Sequence, residues 1–472
     1  MTDGDTMELL ARLRRHASDA PRAGGRVAVR EVATGRALTF AQLAEQVDSF
    51  AAKLRASLAP AATVMLRCPN TTGYHIAFLG ALAAGLTVFP VPANVVAHEF
   101  DPLVRRAGAI AVIDASLDVR PLAVGGAATS PPAPASGSGP ALLLQSSGTT
   151  GLPKIVRRDA RSLDAVSAQM VAAMGIEEFD EFLSCVPLCH SYGLEHGLLA
   201  PLWAGATVHL VDGFDLAVVR RELRDVGITV FPGVPSIFEM LANLPGDAAA
   251  AGTFRSLRLA YSAGGPLPEA VYNRVLDHEG MRVGQLYGAT EIGSVTFSHP
   301  ASPHFQPASI GRAMEGVELR ADADGQLLVR AQSMMSGYVG DQSPATPDGF
   351  FPTGDLARID ADGNLFITGR LKLLIDVGGL KVNPMEVEQA ICEHPLVGAC
   401  AVVPMRLSET VSRLKAVVTA ADPARPPAPE ALRRFTRERL SAHKVPRVFE
   451  VRDALPRSAT GKLLRHLLVE SA

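Results

Sequence analysis

The chain has 472 residues, enough for two or more domains around a substantial core. Its 45 lysines and arginines nearly balance 48 aspartates and glutamates, and the net charge of −3 implies no nucleic-acid partner. There is no charged-then-apolar start and no apolar run of about 18 residues, so neither a signal peptide nor a membrane span is expected, and the expected location is cytoplasmic.

Residues 37–59 read as a helix opening at Thr39-Phe40, with apolar spacing through Leu43, Val47, Phe50 and Leu54. Short apolar strands at 62–67 and 87–91 flank a helix near 73–84. Residues 125–140, rich in Gly, Ala, Ser and Pro, have nothing to bury and form a linker. It ends at the apolar run Ala141–Leu144. Then come Gln145-Ser146-Ser147-Gly148-Thr149-Thr150-Gly151-Leu152-Pro153-Lys154. Glycines let backbone N–H groups approach an anion, hydroxyls donate further hydrogen bonds, and Lys154 adds a point charge. That combination suits a triphosphate. It is not the ordinary P-loop, which needs Gly-x-x-x-x-Gly-Lys-[Ser/Thr]. Gly461-Lys462 also fails that pattern, with Pro456 at the first glycine position and Leu463 afterwards.

From 160 to 300 strands and helices alternate. Strands are expected at 183–187, 206–211, 228–232, 257–262 and 282–287. Helices are expected at 162–174, 194–203, 216–226, 235–243 and 268–279. Alternation of this kind predicts a doubly wound α/β sheet, with ligands at the carboxyl ends of its strands. The loops Ser146–Lys154, Ala263-Gly264-Gly265-Pro266 and Tyr287–Gly293 all follow strands and can converge. Asp212 and Asp215 read as loop and cap residues. Cys185 and Cys189 beside His190 lack the second ligand pair of a metal site. The five cysteines form no framework and fit free core thiols in a reducing compartment.

From 305 to 370 the pattern changes to short strands with Asp-Gly turns at 324–325, 348–349 and 362–363. Asn383-Pro384-Met385-Glu386 reads as a helix start, with Asn at the cap, Pro first and Glu reaching back. A break near Gly369–Lys372 divides a large α/β domain, 1–369, from a smaller α+β domain, 370–472. The β-rich part of the large domain covers about 305–369. Arg433, Arg434, Arg437 and Arg439 read as a solvated helix face.

Five strings lie in order from about 145 to 462: Ser146–Lys154, Tyr287-Gly288-Ala289-Thr290-Glu291, Thr353-Gly354-Asp355, Gly369-Arg370-Leu371-Lys372, and Pro456 to Gly461-Lys462. Together they resemble the signatures of the adenylate-forming superfamily: acyl-CoA and aryl-CoA ligases, luciferases and peptide-synthetase adenylation domains. The chain departs after Lys154, where Ile155 and Asp159 stand in place of the usual Gly and a nearby His. The N-terminal region is also shorter than is usual for acyl-CoA ligases, which points to a specialised branch.

The resemblance implies that Ser146, Ser147, Gly148, Thr149, Thr150, Gly151 and Lys154 bind the phosphates of ATP. Gly264, Gly265, Tyr287 and Gly288 would line the nucleotide site, with Tyr287 stacked on adenine. Thr290 would bind the α-phosphate and Glu291 would hold Mg²⁺. Asp355 would accept the ribose hydroxyls, Arg370 would reach the ribose, and Lys372 would be the hinge of a mobile C-terminal domain. Lys462 would be the catalytic lysine of adenylate formation.

The same resemblance places the acyl pocket at Pro187-Leu188-Cys189-His190-Ser191-Tyr192-Gly193, with His190 next to the reacting carboxylate. Tyr192, Gly193, Val234, Gly264, Gly265, Ala289 and Ile292 make the remaining lining small and apolar, which suits an uncharged acyl or aryl acid. Amino-acid-activating domains carry an Asp in this region. None occurs here between Asp180 and Asp212, and Glu195 is the nearest acid. Gly378, Gly379 and Lys381 match the thiol side near CoA in some ligases. The expected activity is an ATP- and Mg²⁺-dependent acid–thiol ligase. It would form an acyl adenylate, release pyrophosphate and pass the acyl group to CoA. Loading the phosphopantetheine arm of an acyl carrier protein is the alternative. A nucleotide-binding module without catalysis is disfavoured by retention of Thr290, Glu291, Asp355, Arg370 and Lys462.

Overall fold

The computed structural model describes all residues except 1–6, 20–24, 123–140, 147–153, 244–253, 341–343, 378–379, 407–411, 441, 459–460, 462 and 470–472. The chain divides into two compact units: Met1–Glu318 with Val329–Phe351, and Leu319–Leu328 with Pro352–Ala472.

Local chemistry starts several of the first unit's helices within a few residues of where the sequence places them. Thr39 and Gln42 form a reciprocal capping box, Gln42 N donating to Thr39 Oγ1 at 3.2 Å and Thr39 N to Gln42 Oε1 at 3.0 Å. The helix therefore begins at Phe40, and residues 37–39 are a strand rather than its first turn. Asp215 caps Leu216–Asp225 by accepting from Ala217 N and Val218 N. Asp159, one of the two departures from the superfamily string, caps Ala160–Met174 by accepting from Ser162 N at 2.9 Å. The apolar faces of these helices cover two sheets.

A nine-stranded sheet runs in spatial order Arg312–Ala313, Gly293–Ser298, Val283–Ala289, Leu259–Ser262, Val230–Gly233, Glu181–Ser184, Thr207–Leu210, Val27–Glu31, Ala37–Thr39. The strands from Val283–Ala289 through Val27–Glu31 are parallel, and those at either edge are antiparallel. This is the α/β sheet expected from the alternation at 160–300, enlarged by strands on both sides. Its core includes Phe231, Phe238, Leu241 and Val283, all fully buried. A second sheet of seven strands runs Gly337–Tyr338, Ile155–Asp159, Ala141–Gln145, Thr87–Pro90, Thr63–Arg67, Ala109–Asp114, Val119–Pro121. The strands on either side of the hydroxyl-rich loop belong to this second sheet.

A four-stranded sheet joins Glu318–Ala321, Gln326–Arg330, Phe351–Ile359 and Leu365–Arg370 in that order. Because these strands pair with one another, most of their residues group with the second unit. That unit also holds the three-stranded sheet Val397–Arg406, Ser412–Ala420, Val448–Val451 over a core of Val382, Val387, Ile391, Ala416 and Leu432. Asn383 caps Pro384–Cys392 through Met385 N at 3.1 Å. Glu386 does not reach back to that cap as the sequence suggested; Lys444 Nζ donates to its carboxylate at 2.6 Å instead. Among the described residues no helix is long and apolar enough to cross a membrane.

Candidate active site

Strands Ala141–Gln145 and Ile155–Asp159 pair antiparallel from Ala141↔Asp159 to Gln145↔Ile155. Ser146 N donates to Lys154 O at 2.9 Å, so the neck of the intervening loop is closed and Ser146 is buried. Ser147, Gly148, Thr149, Thr150 and Gly151 lie outside the described residues. Lys154 is described, and its Nζ stands 4.4 Å from the ring centroid of Tyr338.

Tyr287, Gly288 and Ala289 end one arm of a tight hairpin whose other arm starts at Gly293, with Ala289 opposite Gly293. Thr290 and Glu291 occupy the turn. Tyr338 OH donates to Glu291 Oε1 at 3.2 Å. The ring of Tyr338 thus lies between the lysine and the carboxylate that the sequence assigned to phosphate and metal. The sequence reading missed Tyr338. Its signal was an aromatic after Gly337 in a two-residue strand, too short to show periodicity.

A lone carboxylate with a phenol to orient it fits Mg²⁺, a hard ion that keeps several waters and takes phosphate oxygens from its substrate. Among the described residues there is no cluster of three His, Cys, Asp or Glu side chains around a metal position. A single carboxylate suits a metal that takes its other ligands from nucleotide phosphates and water.

The pocket segment follows the strand Glu181–Ser184. His190 occupies the N-cap position of the short helix Ser191–Leu194 with extended backbone and makes no side-chain capping bond there. Burial lowers the pKa of His190 below the usual 6.5, so the ring is neutral at pH 7. It can then donate or accept a hydrogen bond beside a carboxylate without carrying charge. Tyr192 OH donates to Gly233 O at 2.9 Å, tying this segment to the end of the neighbouring parallel strand. Gly193 sits against Pro187: a Cβ there would fall 2.1 Å from Pro187 O. The loop itself is held by Asn70, whose Nδ2 donates to Val186 O at 3.0 Å and whose Oδ1 accepts from Leu188 N at 2.9 Å. Tyr74 OH adds a bond to Leu188 O at 2.7 Å. Burial pushes the thiols of Cys185 and Cys189 up to about 12, so neither is a thiolate at neutral pH.

Val234 and Gly264 follow adjacent parallel strands. A Cβ on Gly264, which has φ +84°, would lie 3.9 Å from Val234 Cγ1, and one on Gly265 would lie 3.9 Å from Pro235 Cγ. The two loops therefore share one end of the sheet. Ala289 is half-buried, whereas Ile292 is fully buried. Glu195, the sequence's nearest acid, is also buried. It is committed to Arg158 and to Ser294, with Arg158 Nη1 at 2.5 Å.

In the second unit Asp355 and Arg370 face each other across an antiparallel pair, with Arg370 Nε 2.5 Å from Asp355 Oδ1. Thr353 Oγ1 accepts from Asp355 N and donates to Leu327 O, which fixes the turn before the aspartate. Lys372 lies in the 3₁₀ turn Leu371–Leu373 and Lys381 in the strand Leu380–Val382. Gly378, Gly379 and Lys462 lie outside the described residues. The backbone beside Lys462 is closed by the bridge Arg457↔Leu463 and by Arg457 Nη1 donating to Gly461 O at 3.0 Å.

Comparison with known proteins gives the family and the fold. The AMP-binding enzyme family model matches residues 16–339, and the AMP-binding enzyme C-terminal domain model matches residues 386–462. The sulfoacetate–CoA ligase of Cupriavidus necator is 31% identical over 480 residues, covering 93% of each chain. The malonate–CoA ligase of Arabidopsis thaliana is 29% identical over 369 residues, covering 70% of this chain and spanning 60% of that protein's own length. The crystal structure of ATP-bound MatB from Rhodopseudomonas palustris superposes with a TM-score of 0.85 at 23% identity, covering 98% of this chain and 97% of the other.

Proposed function

The chain belongs to the AMP-binding enzyme family, and we propose that within it the protein is an AMP-forming acid–thiol ligase whose thiol is CoA. The observation that carries this reading is the meeting of Lys154, Tyr338 and Glu291. It gathers a lysine ammonium and a carboxylate around one tyrosine, the pairing that supports a phosphate-binding and a metal-binding role for them. The similarity to sulfoacetate–CoA ligase over 93% of both chains supports a CoA acceptor.

In the proposed reaction the substrate carboxylate attacks the α-phosphorus of ATP. The bond to the β-phosphate oxygen breaks and pyrophosphate leaves. A CoA thiolate then attacks the acyl carbon and AMP departs with the electron pair. Lys154 holds the phosphates, Thr290 the α-phosphate, and the Asp355–Arg370 pair the ribose. Neutral His190 lies beside the acid. Lys462 supplies a charged donor to the transition state of the first step. Bound Mg²⁺ on Glu291 would neutralise charge on the phosphates.

The test is pyrophosphate release over a panel of acids with and without CoA. Release with an acyl or aryl acid and thioester formed with CoA is the expected result. Release without a CoA thioester would move the assignment to carrier-protein loading. ATP binding without release for any acid would reduce it to a binding module. α-Amino acids are expected to be poor substrates, because Glu195 is committed to Arg158 and a buried ammonium without a partner costs several kcal/mol. An α-amino acid as the best substrate would overturn the pocket assignment.

Tyr338 gives a second test. Groups that orient a metal ligand commonly change metal affinity by about 10-fold or more. Tyr338→Phe keeps the ring over Lys154 and removes the hydroxyl from Glu291. It should raise half-saturating Mg²⁺ by about 10-fold and leave the KM for the acid alone. Tyr338→Leu removes both contacts and should raise the KM for ATP as well. Unchanged Mg²⁺ and ATP dependence in both variants would remove Tyr338 from the site.

A further inference from the structure

Among the described residues, the largest fully buried side chain is an arginine. Arg158 and Glu195 have side-chain exposures of 0% and 3%, and they pair at 2.5 Å. A buried charge pair is costly to assemble and is weak evidence for stability as such, so its placement calls for another reason.

Each member stands on a different segment of the site. Arg158 follows the hydroxyl-rich loop on the strand Ile155–Asp159. Its Nε donates to Ser162 Oγ at 3.3 Å and its Nη2 to Ser162 O at 3.2 Å. Glu195 opens a π-helical stretch, Glu195–Leu199, that continues directly from the pocket helix behind His190. Its Oε2 accepts from Ser294 N at 3.1 Å and from Ser294 Oγ at 2.6 Å. Ser294 lies just past the Thr290-Glu291 turn. Ser294 Oγ is 3.3 Å from His196 Nε2, and His196 Nδ1 is 2.6 Å from Tyr261 OH. Gly293 has φ +72°, and a Cβ there would lie 3.1 Å from Arg158 Nη2, so the turn packs directly on the guanidinium. π segments shift one residue's worth of helix and often mark functional sites. Here the shift lies in the stretch where successive residues Glu195 and His196 are both buried.

We propose that the Arg158–Glu195 pair is a positioning device. It locks the phosphate-loop strand, the pocket helix and the Thr290-Glu291 turn in one register for adenylate formation. The proposal rests on the acid-activation reading above. Neither residue touches substrate; both act through the segments they hold. Reacting groups displaced by about 1 Å can lose about 100-fold in rate while binding persists.

The test separates stability from alignment. Arg158→Met and Glu195→Gln each leave an uncompensated partner in the core and should lower the urea midpoint. The double variant Arg158→Met/Glu195→Leu leaves no unpaired charge and should recover most of that midpoint. Its kcat for pyrophosphate exchange should stay at least about 10-fold below wild type, with KM values for ATP and acid within about threefold. Recovery of both midpoint and kcat would make the pair structural only and overturn the proposal. If the double variant does not fold, Glu195→Gln is assayed in the buffer where it remains folded. An unchanged kcat there overturns the proposal equally. Absence of exchange in the wild-type protein overturns the acid-activation reading, and the pair's role with it.

Discussion

Replacing Lys462 with alanine is expected to slow adenylate formation by at least about 100-fold, the scale for losing a pre-organised donor to developing charge. The flanks of this lysine are held by several bonds. Leu464 N donates to Pro456 O at 2.9 Å, and Arg465 Nη2 donates to Glu388 Oε2 at 2.8 Å. Those bonds involve other residues and survive the substitution, so the fold should be intact. Thioester formation from a supplied acyl adenylate should be spared, because the first-step charge has already gone. Pyrophosphate exchange and single-turnover transfer measure the two steps separately. Wild-type exchange in the variant would remove Lys462 from the mechanism.

Gly193→Ala should produce the other large loss. The added methyl falls 2.1 Å from Pro187 O and 2.6 Å from Pro187 C, both backbone atoms. The loop cannot retreat freely, since Asn70 and Tyr74 hold Val186 and Leu188 by three hydrogen bonds. Overpacking of this kind costs about 1–3 kcal/mol. The displaced segment carries His190, so the KM for the acid should rise more than the KM for ATP. Urea unfolding and paired KM measurements check both parts. A wild-type midpoint would mean that the loop yields where the structure holds it.

The parallel sheet was legible from sequence because burial and periodicity say the same thing there. Strand, helix and turn signals alternate from 160 to 300, and residues such as Phe231, Phe238 and Val283 go to the core as their chemistry requires. Thr39, Asp215 and Asn383 announced helix starts because capping is a local property. The helix expected at 194–203 was less regular than its periodicity suggested. It starts at Ser191 and passes through a π segment before Ala200–Ala204. An inserted residue of that kind has no composition signature. Arg158 was equally hidden. Within Arg157-Arg158-Asp159 it reads as surface charge, and only its distant partner Glu195 explains its burial. Glu386 illustrates the opposite error: a plausible local bond lost to a tertiary one with Lys444. Tyr338 has meaning only through Lys154 and Glu291, which are remote in sequence.

The order of strands in the nine-stranded sheet has a consequence for how the chain is made. Val27–Glu31 lies between Ala37–Thr39 and Thr207–Leu210, with Val29 opposite Val208. Its first neighbour emerges from the ribosome at once. At about 5–20 residues per second, its second follows roughly 10–35 s later. During that wait the strand presents an open edge and apolar side chains. Meanwhile six strands of the seven-stranded sheet, from Thr63–Arg67 to Ile155–Asp159, are all synthesised within the interval and can pair among themselves. The second sheet in the chain is thus in a position to close before the first, leaving the earliest strand with one edge unpaired until Thr207–Leu210 is made.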